Sequence, residues 1–118
     1  MREAFAHDAV LVLEHGGDDR APGGAITVAL CGDVAHEPPC PLAPHHTRVR
    51  RTDGELTLRL LFATEPAQEG RVRALVEESL SRGWGDTPDG RTYWDLVESA
   101  PAPVEEEELA HAQRLIRS

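Results

Sequence analysis

The most constraining stretch of this 118-residue chain is Asp53-Gly54 together with the nine residues that follow it. Leu56, Leu58, Leu60 and Phe62 fall at alternate positions, with Thr57 and Arg59 between them. Alternation of period two builds a strand with one buried face. Asp-Gly supplies the two left-handed residues of a tight turn, so residues 47–52 are expected to form the other arm of a hairpin.

Two further strands are expected before it. Residues 10–13 are a short β-branched apolar run ending in a Gly-Gly-Asp-Asp loop, and in residues 25–31 Ile26, Val28 and Leu30 alternate with small residues. After the hairpin, Val72, Leu75, Val76 and Leu80 have helical spacing. Thr64 is the expected cap, Pro66 lies in the first turn, and Gly83 is the expected stop. Residues 84–91 read as loop, and 93–97 fit either a short strand or one or two helical turns. Pro103 then opens a last helix with Glu105 to Glu108 at its start and Arg114 and Arg117 near its end, an order that suits the helix dipole.

Strands grouped ahead of helices indicate an α+β fold with a mainly antiparallel sheet of three or four strands. One helix would cover a face, and a C-terminal helix would complete the chain. Residues 1–100 are expected to form a single domain carrying a Cys/His/Pro-rich loop at 31–46. Residues 101–118 would be an acidic helix packed on that domain or on a partner.

Composition narrows the chemistry. All 12 basic residues are arginine, against 21 acidic ones, and the formal charge is −9. Without lysine there is no Schiff base, no pyridoxal-phosphate anchor and no phosphate-loop lysine, and no nucleotide loop is present. The acidic balance argues against nucleic acid as a partner. The four serines carry no nucleophile-elbow motif, which argues against serine catalysis. The first residues lack a signal-peptide layout, and the run 9–13 is too short to span a membrane, so a cytoplasmic protein is expected. In that compartment the two cysteines would be thiols, a disulfide being the alternative.

One loop concentrates metal-ligand side chains. Cys31, His36, Cys40, His45 and His46 fall within sixteen residues, with Asp33 and Glu37 as oxygen donors and four prolines between. Zinc takes four tetrahedral ligands from thiolate and imidazole, and this loop holds enough of both. The function these residues suggest is a small zinc-binding accessory or interaction protein. A site with one open position would instead serve metal-dependent catalysis, with Glu37 or Asp33 as base. A metal-free reading is a domain that oligomerises or docks on a protein partner.

Other features are weaker. His46, Arg48 and Arg50 share one face of the expected strand and form the only basic patch, where Arg48 and Arg50 could hold an anion. Trp84 and Trp94 are expected in the core. Glu105 to Glu108 read as a solvated helix start, and His7, His15 and His111 as surface or locally bonded side chains.

Overall fold

The computed structural model describes residues 1–32 and 42–118. Its elements run β1 (Glu3–Leu13), α1 (Ala21–Cys31), β2 (His45–Thr52), β3 (Glu55–Thr64), α2 (Glu69–Arg82), β4 (Trp84–Thr87), β5 (Gly90–Ala102) and α3 (Leu109–Ile116). A 3-10 turn leads into each of α2 and α3. The strands form one antiparallel sheet in the order β2-β3-β1-β5-β4. The α+β class and the antiparallel sheet are as expected, and the described residues form five strands instead of three or four and three helices instead of two.

The Asp53-Gly54 turn joins β2 to β3. Asp53 and Gly54 have φ of 50° and 82°, the doubly left-handed geometry that matches strand twist. Pairing runs from Thr52 opposite Glu55 to His45 opposite Phe62. The alternating leucines of β3 therefore all face one layer, where they meet Leu11 and Leu13 of β1, Trp94 of β5 and the buried faces of α1 and α2. Leu60 and Phe62 are fully buried there.

Residues 25–31 are helical, not a strand. Ala21, Pro22, Ala25, Ile26 and Leu30 are its buried positions, a helical spacing, while Val28, grouped with Ile26 and Leu30 by alternation, is 45% exposed. Pro22 in the first turn and Gly32 at φ 81° mark its two ends. Thr64 does not cap α2: its hydroxyl donates to the Leu42 carbonyl, 3.1 Å away. Gly83 does end α2, at φ 82°. Residues 84–91 include a strand, and 93–97 lie inside β5, the longest strand of the sheet.

Trp94 lies in the core and donates its indole N–H to the Leu80 carbonyl at 2.9 Å. Trp84 is half-buried instead, with the guanidinium carbons of Arg82 and Arg91 at 4.0 and 3.7 Å from its ring centroid.

The opposite face of the sheet carries α3. Ala112 and Leu115 cover Ala6, Leu61 and Ala63, with Val104 and Ile116 at the margin. Among the described residues, no helix is long and apolar enough to cross a membrane.

Candidate anion-binding cavity

Of the expected metal ligands, the described residues hold Cys31, His45 and His46, and these three do not come together as a site. Cys31 ends α1 and is disulfide-bonded, so its sulfur is not a thiolate ligand. His45 turns toward α1. Its Nδ1 donates to the Ala43 carbonyl at 2.9 Å and its Nε2 lies 2.9 Å from Thr27 Oγ1. A ring nitrogen carrying a proton toward a carbonyl has no lone pair for a metal. His46, the next residue on the strand, projects from the other face of the sheet. His36 and Cys40, with Asp33 and Glu37, lie outside the described residues. Among the described residues no group of three or more His, Cys, Asp or Glu side chains is placed to hold a metal ion. The zinc-binding reading of the protein is thereby overturned.

What His46 joins is a cavity of about 110 Å³ between the sheet and α3. It is lined by His46 and Arg48 of β2, Arg59 and Leu61 of β3, Glu107 and Glu108 of the turn before α3, and His111 of α3. Strand register builds its floor. Arg48 pairs directly with Arg59, and Arg59 in turn with Asp8 of β1.

Two guanidinium groups opposite each other on a sheet repel unless one is neutralised. Arg59 is the neutralised one. It donates to Glu108 Oε1 and Oε2 at 2.6 and 3.2 Å, to Asp8 Oδ1 at 3.0 Å and to the Pro103 carbonyl at 2.6 Å. The hydrogen bonds that Arg59 donates to Glu108 hold the Glu108 carboxyl below the usual range and raise the Arg59 guanidinium.

Glu108 also closes a capping box with Glu105, accepting the Glu105 backbone N–H at 2.9 Å. The acidic run is therefore not uniformly solvated. Glu105 to Glu107 are exposed, whereas Glu108 is 9% exposed and ion-paired.

Arg48 is left over. Among the described residues no carboxylate forms an ion pair with it, although its charge contributes to the lowered Glu108 carboxyl. Beside it the rings of His46 and His111 lie 4.7 Å apart, tilted by 55°. Burial, then the neighbouring His46 and Arg114, push the His111 imidazole below its ordinary value, with Glu108 opposing. Arg50 lies two residues further along the same face of β2, opposite Thr57 and outside the cavity lining.

A second polar cluster lies on the helix-covered face. His7, expected as a surface or locally bonded side chain, is bonded on both ring nitrogens but is buried, 1% exposed. Arg73 of α2 places Nη1 at 3.0 Å from His7 Nδ1 and donates to the Ala6 carbonyl at 2.8 Å. Arginine can only donate, so Nδ1 is the acceptor and the ring proton sits on Nε2. Nε2 therefore donates to Ser99 Oγ at 2.8 Å, and Ser99 donates to Glu77 Oε1 at 3.1 Å. A histidine that gives its proton to serine cannot also take the serine's proton. The chain is thus no nucleophilic triad. It satisfies a buried imidazole instead.

That burial predicts an acid limit. Desolvation first and Arg73 second lower the His7 imidazole, outweighing Glu77 and Asp8. The unfolded chain takes up its proton below about pH 6.5, where folded His7 resists it. Stability is complete above that pH and falls as the pH drops below it. Melting temperature is expected to fall between pH 7 and 5, with the His7 ring titrating below an ordinary imidazole by NMR. Titration of His7 at or above the ordinary value would refute the assignment.

The chain was compared with known protein families, with curated proteins and with solved structures, and nothing matches it.

Proposed function

We propose that the chain is a binding domain for small oxyanions, with its site in the cavity between β2, β3 and α3. The observation that carries this reading is Arg48. Its guanidinium borders a small concave site whose other arginine is already neutralised by Glu108 and Asp8. A guanidinium offers a planar set of donors that suits carboxylate, sulfate and phosphate oxygens. His46 and His111 add ring nitrogens on the same wall, and the cavity has room for several waters or one small oxyanion. Arg50 would contribute to the field that draws an anion in and would not touch it.

Sulfate titrated into the protein at pH 6 is expected to shift the NMR signals of His46, His111 and the Arg48 side chain together. Arg48→Met should weaken binding about tenfold, equivalent to ~1.4 kcal/mol. Arg50→Met should weaken it less. An absence of shifts at these residues up to about 50 mM sulfate, a range that would detect even very weak affinity, would refute the reading.

A further inference from the structure

The charge on the cavity wall is close to balanced when both imidazoles are neutral. Arg59 is cancelled by Glu108, and Asp8 compensates it further from the outer side. Arg48 and the exposed Glu107 are then the remaining charges on the lining. With His46 and His111 both protonated, the lining side chains themselves carry an excess of two positive charges, Asp8 standing outside the lining. Each imidazolium repels the other across 4.7 Å, and Arg114 adds to that repulsion at His111. An empty cavity therefore disfavours a proton on His111 beside a charged His46. An anion placed between the rings and Arg48 reverses this, since it offers each new proton an opposite charge.

Building on the oxyanion-site reading, we infer that the His46–His111 pair couples anion capture to proton uptake, so that the site selects doubly charged tetrahedral oxyanions and holds them more tightly in acid. The selection follows from the excess of two charges, which a dianion neutralises and a monocarboxylate does not. The coupling is reciprocal. If protons tighten the anion, the anion must raise the proton affinity of the pair by the same factor.

Sulfate is the suitable probe, because it stays doubly charged across the range in which imidazole titrates. Calorimetric titration of the whole chain at pH 7.5, 6.5 and 5.5, at constant ionic strength, is expected to show affinity rising by about tenfold or more. Repeating it in two buffers of different ionisation enthalpy should reveal net proton uptake. His46→Gln, at an exposed position that tolerates change, and His111→Gln should each flatten the pH profile while leaving weak binding. His15→Gln, on a distant exposed loop, should leave the profile unchanged.

Sulfate binding of equal strength at all three pH values, without proton uptake, would overturn the coupling and leave the anion site standing. A pH profile that persists in both His46→Gln and His111→Gln would also overturn it. Failure of sulfate to bind at any pH would remove the site and the coupling together.

Discussion

Replacing Arg59 with methionine is expected to cost about 3 kcal/mol and to loosen α3 before the rest of the domain unfolds. Among the described residues, Arg59 is the side chain that ties β3, β1, the Pro103 carbonyl and the start of α3 to each other. Methionine fills most of the volume, so the loss is electrostatic. The Glu108 carboxylate would remain in a nearly closed site with only the Glu105 backbone N–H as a described partner. A half-broken buried pair is worse than no pair. Adding Glu108→Gln to Arg59→Met should therefore recover part of the loss. Urea denaturation measures the total, and amide exchange across Leu109–Ile116 shows whether α3 opens first. If Arg59→Met costs less than about 1 kcal/mol, the range of an ordinary surface ion pair, the pair does not anchor the helix.

The elements legible in the sequence are those whose two faces differ chemically. In β3 the alternate leucines sit against Thr57 and Arg59, and in α2 the valines and leucines sit against glutamates and arginines. Solvent lies on the far side of α2, so its polar positions mark its period. α1 has no such contrast. Not one of its eleven residues is charged, and Ile26, Val28 and Leu30 satisfy a period of two while Ala21, Ala25, Ile26 and Leu30 satisfy 3.6. Pro22 and Gly32 were the available signals, and they indicate ends, not period. β1 was only half visible because its first half faces two different partners. Phe5 and His7 lie under α2, whereas Ala4 and Ala6 lie under α3, so small and polar residues are buried with the apolar ones. Pro101 obscured β5. It is tolerated there because β4 pairs only opposite Gly90–Tyr93, leaving the later part of that side of β5 unpaired among the described residues.

The candidate site was legible to the extent that it is local. Period two places His46, Arg48 and Arg50 on one face of β2, and they are there. Arg59, Glu108 and His111 come from segments 11 to 65 residues away from Arg48 and His46, and only the packing of α3 on β3 brings them together. Glu105-Glu106-Glu107-Glu108 gives little hint that its last member differs from the others. The spacing of a capping box, glutamate at the third position of the turn, was the one local sign. Ligand-type residues close in sequence were the misleading case. His45 and His46 are adjacent in the chain and on opposite faces of the sheet, which is what a strand does to neighbours.

Gly85→Ala is expected to cost about 2–3 kcal/mol, the upper range for forcing extra atoms into a packed core. A Cβ at this position would stand 2.6 Å from the Ala21 carbonyl oxygen and 3.1 Å from Trp94 Cη2. Neither neighbour can yield cheaply. Ala21 is the first residue of α1 and fully buried, so moving its carbonyl moves the helix start. Trp94 is pinned by its bond to the Leu80 carbonyl and packs in the main core. The start of α1 thus lies against β4 where only a glycine fits, and the substitution prises the two apart there. Gly70→Ala is the control. Its Cβ meets nothing within 4 Å inside α2, and alanine there should stabilise by about 0.5–1 kcal/mol through helix propensity. Urea midpoints of the two variants should therefore move in opposite directions from the parent. A Gly85→Ala protein within about 0.5 kcal/mol of the parent, the scatter of ordinary surface changes, would mean that α1 is not seated against β4 in this way.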